Sequence, residues 1–250
     1  MIDRASVTQL RRCLTIAGKD IRIYYSKGPV VIFGILFPLF LYLAFTIGRQ
    51  VSINSMLPGL VGTILFFTAT SISPVVIPWE GQARTLERLM SCPVRLETIV
   101  GGDVLASAVF GTAITTIALA FGLALGSTPS RPAVLAAALV LAALCFASLG
   151  TIFSVPPTNV PATVNMIAAV VRFPVVFISG VFIPLPDLPS WARVVAYGSP
   201  LTYFTDAARH CIQGRGYLPL PVDLLVLVAF TAAFLLAAME LHRSTMPRRV

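Results

Sequence analysis

The sequence predicts an all-α integral membrane protein, and two observations carry that prediction. Hydrophobic residues make up 57% of the chain and charged residues only 11%, whereas a soluble domain carries about a quarter charged residues. Because so few charged side chains cannot cover a water-soluble globule, lipid must be the solvent for most of the chain. The apolar runs are also continuous, whereas the strands of a membrane barrel alternate apolar and polar residues.

Six apolar segments are long enough to cross the hydrocarbon core of a bilayer, which is about 30 Å thick, as α-helices. We expect residues 29–250 to form one six-span domain, preceded by a separate helix in residues 1–28. The predicted spans, in chain order, are Pro29–Gly48, Leu57–Pro78, Val104–Leu125, Pro132–Val155, Pro161–Pro184 and Leu220–Leu241.

The positions of the basic residues predict how these spans are oriented. With both termini in the cytoplasm, twelve of the 18 Lys and Arg residues lie on the cytoplasmic side and five lie outside, while Arg172 lies within a span. Positive residues are enriched in the cytoplasmic segments of membrane proteins. The sequence therefore predicts a multi-pass protein of the inner, cytoplasmic membrane with cytoplasmic N- and C-termini. The bilayer explains the net charge of +8 better than nucleic acid does, since there is no dense basic face.

The segment 1–28 has the pattern of an amphipathic helix. Apolar residues recur at steps of three and four, and most basic residues fall elsewhere on the helix surface. Such a helix is expected to lie in the cytoplasmic interface with its basic residues near anionic headgroups; the alternative is a helix packed on a soluble partner. The apolar stripe consists of Val7, Leu10, Leu14, Ala17, Ile21 and Tyr24, and the basic residues are Arg11, Arg12, Lys19 and Arg22.

Residues 185–217, between the fifth and sixth predicted spans, are amphipathic rather than wholly apolar. A seventh span here would place Asp206, Arg209 and His210 in lipid at a cost of several kcal/mol. It would also move the basic C-terminal tail outside. We instead expect an outer hairpin of two short interfacial or re-entrant helices, broken at Gly198–Pro200.

The segment 79–95, which begins WEGQARTLERLMSCP, is the longest predicted cytoplasmic connection. Read as one helix, it has an apolar edge that ends at a helix-stopping proline, with charged residues on the remaining surface. This pattern favours a docking helix for a cytoplasmic partner; the alternative is an ordinary interfacial loop that obeys the charge rule. The edge consists of Leu86, Leu89, Met90 and Pro93, and the charged residues are Glu80, Arg84, Glu87 and Arg88.

Two stretches resemble the permeases of type-2 ABC exporters, a resemblance that covers nearly the whole chain. EGQARTLERLMSCPVRLETIVGGDVL is similar to the first cytoplasmic loop of that family, and SGVFIPLPDLPSWARVVAYGSPLTYFTDAARH is similar to its signature after the fifth span. The matching positions of the second motif are Ser179, Gly180, Pro184, Leu188, Pro189, Trp191, Pro200, Thr202, Tyr203 and Arg209.

The resemblance implies a function and a set of partners. The first loop would be a coupling helix in a cleft of a separate ATPase, with two such ATPase subunits and a second permease copy or a sister permease in the complex. ATP and Mg would bind to the ATPase, and this chain would bind no cofactor, in agreement with the absence of a GxxxxGK[ST] loop. The short outer hairpin favours export of a small, drug-like amphiphile. Export of a lipid-linked glycan or other lipid is the alternative, and an ATPase-independent secondary transporter is a more distant one.

The fifth predicted span carries the expected translocation path or gate. Arg172 near its middle would face a cavity or a partner, or would snorkel to the cytoplasmic headgroups if the span starts later. Pro174, Gly180 and Pro184 favour kinks near its outer end, where the resembled family has its outer gate. By that resemblance the gate also includes Ser179, Pro200 and Tyr203.

The sequence also predicts that the chain is not an enzyme. No Asp–Asp pair, Ser–His pair or His/Glu metal set is apparent inside the spans, and the acidic residues near them, such as Asp103 and Asp223, lie at the ends. The four cysteines are scattered without a CxxC spacing, so neither a disulfide framework nor a metal site is expected. No role is assigned to the isolated His210 and His242.

Overall fold

The structure is a computed structural model that describes residues 4–25, 53–156 and 158–245, together with positions 32, 36, 39, 40, 43, 44 and 47. The described residues form helices and no strand, which confirms the all-α prediction. Their α-helices, numbered along the chain, are α1 Arg4–Tyr24, α2 Ile53–Ser71, α3 Ser73–Gln82, α4 Thr85–Met90, α5 Leu96–Ala124, α6 Pro132–Ile152, α7 Pro161–Ile178, α8 Ser190–Tyr197, α9 Pro200–Gln213 and α10 Leu220–Thr245.

Five helical segments of the described residues are long and apolar enough to cross a membrane. They correspond to the second to sixth predicted spans, so the chain is a multi-pass membrane protein. The first predicted span, Pro29–Gly48, lies outside the described residues except for isolated positions, so the count of six remains a prediction. The five segments are Asn54–Gln82, Leu96–Ala124, Pro132–Ile152, Pro161–Ile178 and Leu220–Thr245.

Four predicted span boundaries differ from the structure by about one helical turn or more. The second span continues to Gln82 instead of ending at Pro78. The third span starts at Leu96 instead of Val104, because its first two turns are helical without being apolar. The fifth ends at Ile178 instead of Pro184, because Gly180 adopts a φ of 74° that L side chains rarely take. The sixth continues to Thr245, beyond the last apolar residue of the predicted segment. Hydropathy marks the part of a helix that suits lipid, whereas backbone hydrogen bonds decide where the helix ends.

The core of the bundle lies around α2, which packs against α5, α6 and α9. Phe146 is in edge-to-face contact with Phe66 at 5.2 Å and with Phe204 at 6.2 Å between ring centroids, a favourable arrangement for buried aromatic rings. Helices α2 and α5 approach closely at a small-residue contact, where a Cβ added to Gly111 would lie 3.0 Å from that of Ala69. Small residues at such crossings are typical of helix packing in membranes.

Helix α1 lies within the predicted N-terminal segment, but its apolar stripe does not form one packed face. Ala17 and Tyr24 are buried, while Leu10 and Leu14 of the same stripe are 61% and 54% exposed. The face of α1 that packs against α5 is displaced by about one residue from the predicted stripe. It contains Ile16, which would lie 2.7 Å from a Cβ added to Gly102 of α5. One part of the stripe therefore contacts the protein, and the other part is exposed. Interfacial helices bury such an exposed apolar face in lipid.

The segment between the fifth and sixth spans forms the predicted hairpin of two helices, α8 and α9, with the chain broken at Gly198 and Ser199. A short 3₁₀ turn at Leu185–Asp187 precedes them. Helix α8 is half exposed, whereas nearly all of α9 is buried against α2, α6 and α10. The second helix of the hairpin is therefore inserted into the bundle, where Asp206 and Arg209 are hydrogen-bonded to other parts of the chain.

Candidate functional site

The predicted docking segment is a corner of two helices, so the prediction of a single helix over residues 79–95 is wrong. The last turn of α3 contains Trp79 and Glu80, and α4 begins at Thr85. Between them Arg84 adopts a left-handed backbone with φ 53° and ψ 27°. A non-glycine residue in this region is uncommon, and here it turns the chain between the two helices. The i, i+3 and i+4 pattern of the side chains gives no signal of that turn.

The predicted apolar edge of α4 faces inward. Leu86 is 2% exposed and packs on Ile77, with Met90 and Leu96 beside them. Leu89 is half-buried and Pro93 is exposed. The apolar residues therefore anchor α4 to the bundle, and the surface that remains open to a partner carries most of the charged side chains. The exposed charged side chains are those of Arg84, Glu87, Arg88, Arg95 and Glu97.

Glu80 is buried under α1, whereas the sequence predicted it on the docking surface. Its side chain is 4% exposed and accepts a hydrogen bond from Lys19 Nζ. The same ammonium lies 3.0 Å from Asp20. Beside this pair, the rings of Tyr24 and Trp79 stack at 5.5 Å between centroids. Glu80 thus holds the end of α3 to α1.

Two further contacts join α1 to the other arm of the corner. Arg12 donates a hydrogen bond to the Pro93 carbonyl, and Thr98 Oγ1 donates to Gln9 Oε1 at 2.8 Å. Together with the Lys19–Glu80 pair, these contacts brace both arms of the corner, which we define as residues 79–98, against α1. Sequence reasoning missed this brace because its partners lie 61 to 89 residues apart and no local pattern relates them.

The pKa of the Asp20 carboxyl is raised from its usual 3.8 to about 6, chiefly because burial disfavours the charged form; Lys19 opposes this rise, and the nearby carboxylate of Glu80 adds to it. The side chain is 1% exposed. A carboxyl whose pKa is higher in the folded chain than in the unfolded chain contributes stability below the unfolded pKa and loses that contribution as the pH rises through the folded pKa.

We therefore expect Asp20→Asn to flatten the pH dependence of stability. In detergent, the heat-unfolding midpoint of the unchanged chain should fall between pH 5 and pH 7.5, and that of the variant should fall less. Asp187→Asn, an exposed position outside the corner, serves as the matched control and should follow the unchanged chain. An equal fall in the Asp20→Asn variant would contradict the prediction.

Asp103 lies inside α5 and not at the end of a span, because the helix starts seven residues earlier. The side chain is 3% exposed, and within the described residues neither carboxylate oxygen has a hydrogen-bond partner. One turn further on, Ser107 Oγ lies 2.6 Å from Tyr25 Oη and 2.5 Å from Ser73 Oγ. This chain of hydroxyls links Tyr25, which directly follows α1, to α5 and α3 beside the buried acid.

The role of Arg172 in the translocation path stays a prediction, and the structure shows which groups this residue contacts. Its side chain is buried between helices, donates to the Thr70 carbonyl and lies 3.3 Å from Asn165 Oδ1. The Thr70 carbonyl needs a donor, because residue 74, four positions on, is a proline and lacks the backbone N–H of a regular helix. Arg172 therefore ties α7 to the break between α2 and α3.

The predicted gate residues lie where the end of α7 meets the hairpin. Ser179 Oγ is 2.7 Å from Ser199 Oγ, and the Gly180 carbonyl accepts a hydrogen bond from Arg209. Tyr203 Oη donates to the Tyr197 carbonyl at 2.8 Å. Each of these contacts fastens the hairpin to itself or to α7.

A mostly apolar cavity of about 270 Å³ opens next to this junction, between α6, α7, α10 and the α8–α9 break. Among the predicted gate residues, Pro174 and Pro200 line the cavity, whereas Arg172, Ser179, Gly180, Pro184 and Tyr203 do not. The remaining lining residues are Leu149, Val171, Val175, Ile178, Val195, Gly198, Ser199 and Phe234.

The structure brings together two sets of side chains that the sequence did not connect. Ser154 Oγ and His242 Nε2 are 2.9 Å apart, a contact that the sequence spacing did not indicate. Both side chains are buried, and the contact joins the chain just after α6 to the end of α10. At the hairpin end, one ligand atom from each of Asp206, His210 and Asp223 lies within 4.8 Å of the others.

The comparison with known proteins agrees with this architecture. A family model described as ABC-2 type transporter matches residues 12–212, from α1 through the hairpin. Among individually curated proteins, none matches the sequence. The matched range contains the corner, Arg172 and the cavity junction. The chain therefore belongs to the ABC-2 type transporter family and is a membrane-spanning permease subunit of an ABC-type transporter.

Proposed function

We propose that the chain is the permease of an ATP-driven exporter that moves a small, drug-like amphiphile out of the cell. Two separate ATPase subunits would dock on the corner and supply ATP and Mg, and a second permease copy or a sister permease would complete the complex. The chain would reside in the inner membrane with both termini in the cytoplasm. The observation that carries the proposal is the braced corner with its open charged face, within a member of this family.

The corner is suited to transmit force from a docked partner. Helix α3 continues the span that begins at Asn54, so a push on α4 reaches the centre of the bundle through one nearly continuous helical segment. The anchor of Leu86 on Ile77 and the three contacts to α1 resist local bending. A rigid connection is necessary because a flexible loop would absorb the movement of an ATPase without moving the spans.

The cavity at the junction of α7 and the hairpin supports the proposed substrate class. Its walls are apolar apart from Ser199 and exposed backbone near Gly198, which favours a ligand that is largely apolar with a small polar part. Its volume of about 270 Å³ fits a small molecule better than a glycan chain. A lipid-linked glycan is the second candidate, since the exposed Val171 and Val195 at the cavity mouth would also admit an acyl chain.

The test is transport in inside-out vesicles that contain this chain, with and without a co-expressed ABC-type ATPase that carries a P-loop. Uptake of a fluorescent amphiphile should require both the ATPase and ATP. A proton gradient in the absence of the ATPase should give no uptake. Uptake by the chain alone, driven by a proton gradient, would support the secondary transporter and overturn the proposal.

The same assay tests the cavity. Val195→Trp should fill part of it and lower uptake several-fold, because Val195 lines the cavity. The matched control is Val194→Trp, since the neighbouring Val194 is 73% exposed and is not part of the lining; it should leave uptake unchanged. Equal uptake by the Val195→Trp and Val194→Trp variants would show that the substrate does not pass through the cavity. Loss of lipid-linked glycan transport alone in the Val195→Trp variant would favour the second candidate.

A further inference from the structure

The three-residue cluster at the hairpin end contains the donor types of a metal site. Asp206 and His210 are four residues apart on α9 and so project from the same face of that helix. Asp223, from the first turn of α10, completes the set. One ligand atom from each residue lies within 4.8 Å of the other two.

Asp223 lacks the partners that a buried carboxylate requires. Its side chain is 0% exposed, and within the described part of the chain neither of its carboxylate oxygens has a hydrogen-bond partner. A buried charged group without a partner is costly, and two nearby carboxylates repel each other. A cation between Asp223 and Asp206 would remove both costs.

The other two residues are already held in position. The Asp206 carboxylate accepts hydrogen bonds from the backbone N–H groups of Tyr217 at 2.9 Å and Leu218 at 2.8 Å. His210 Nε2 is hydrogen-bonded to the Leu218 carbonyl. Ligands of metal ions are typically fixed by such outer contacts, and a histidine that donates one ring N–H to a backbone carbonyl keeps the other ring nitrogen for the metal.

We propose that Asp206, His210 and Asp223 bind a divalent transition-metal ion, of the Zn²⁺ or Mn²⁺ class, that joins α9 to α10 at the hairpin end. One imidazole and two carboxylates suit these ions better than Mg²⁺ or Ca²⁺, which prefer oxygen ligands alone. Ligand atoms around a tetrahedral Zn²⁺ lie about 3.4 Å apart. Side-chain rotations that move the ligand atoms by about 1 Å would therefore bring them to metal-binding distance.

Such an ion would connect the hairpin to the last span. Helix α9 is inserted into the core, whereas α10 presents much of its surface outward. The cluster brings polar side chains of both helices close together at this end of the bundle. The metal would therefore fix the position of α9 relative to α10.

The experiment is isothermal titration of the purified full chain in detergent, prepared without a polyhistidine tag and dialysed against a chelator. Zn²⁺ or Mn²⁺ should bind with about one ion per chain, and Mg²⁺ should bind much more weakly. Asp223→Asn and His210→Gln should each lower the affinity about tenfold or more. Asp187→Asn, an exposed acid in the same hairpin, is the matched control and should bind like the unchanged chain.

Two results would overturn the proposal. One is the absence of saturable binding by the unchanged chain, and the other is an affinity that neither Asp223→Asn nor His210→Gln alters. Size-exclusion profiles in chelator show whether each variant is folded. If Asp223→Asn does not fold, the half-buried His210→Gln variant decides the question by itself. Because the titration needs no ATPase, its result is independent of the proposed transport function.

Discussion

The double substitution Arg84→Glu/Arg88→Glu should strongly weaken binding of the ATPase while leaving the permease folded. Both side chains are exposed on the open face of the corner, and neither belongs to the brace on α1. Close charge pairs across protein interfaces couple by about 1.5 kcal/mol or more, and reversal replaces attraction by repulsion. We expect the affinity for the ATPase to fall roughly thirtyfold or more, and ATP hydrolysis by the complex to become insensitive to substrate.

The measurement is co-purification of the ATPase with the permease, followed by substrate-stimulated ATP hydrolysis. The control is Arg11→Glu, which reverses an exposed charge on α1; this variant should still bind the ATPase. The heat-unfolding midpoint of the double variant should match that of the unchanged chain, since surface substitutions usually alter stability by less than about 0.5 kcal/mol. Normal ATPase binding by the double variant would show that the partner does not use this face.

A third variant separates the docking surface from its support. Leu86→Asp would place a carboxylate against Ile77, in a cluster where Leu86 is 2% exposed. Burying an unpaired charge costs several kcal/mol, so α4 should detach from the bundle. Unlike the arginine reversal, this change should lower both the unfolding midpoint and ATPase binding.

Arg172→Leu should destabilise the bundle by about 2 kcal/mol, because it leaves the buried Thr70 carbonyl without its donor. Two effects compete here. Removing the arginine relieves the desolvation of a buried charge, but removing only one partner of a buried hydrogen bond leaves the other unsatisfied. We expect the second effect to dominate, since Pro74 cannot supply the N–H that a regular helix would offer to Thr70.

This mechanism predicts a suppressor. Pro74→Ala supplies a backbone N–H at the position that normally bonds to the Thr70 carbonyl, so Arg172→Leu/Pro74→Ala should recover more than half of the lost stability. The four chains form a double-mutant cycle, measured as unfolding free energies in detergent, and the expected coupling is about 1–2 kcal/mol. Additive effects would show that Arg172 does not act through Thr70.

The suppressed chain also tests the predicted role of Arg172 in the translocation path. If Arg172 only joins α7 to the α2–α3 break, the stable double variant should export the amphiphile normally. If Arg172 guides the substrate, transport should stay low although stability returns. The structure favours the first outcome, because Arg172 is buried between helices and is not among the residues that line the cavity.

The predictions for Arg84 and Arg88 and for Arg172 concern different parts of the proposed transporter. Arg84 and Arg88 would receive the ATPase, and α3 would carry its movement to the break that Arg172 bridges. From that break, α7 leads to the cavity and the hairpin. A change at the corner should therefore affect coupling first, whereas a change at Arg172 should affect the stability of the bundle first.

Several conclusions followed from the sequence alone. Composition and continuous apolar runs determined the all-α membrane fold, and five predicted spans correspond to observed helices. Two local motifs led to the family, and the Gly198–Pro200 break divided the hairpin as expected. These inferences succeeded because hydropathy, proline and short motifs act within a few residues of one another.

Only the tertiary structure decided which of these residues are exposed and which are paired. Glu80 and Leu86 belong to the predicted docking pattern, but one holds Lys19 and the other anchors α4, which leaves the arginines as the open face. Arg172 and Thr70 meet across 102 residues, and Asp223 meets His210 through the packing of two helices. A sequence pattern reports the face of a helix on which a side chain lies. It does not report which distant backbone or side-chain group will occupy that face, because that depends on how all the helices pack together.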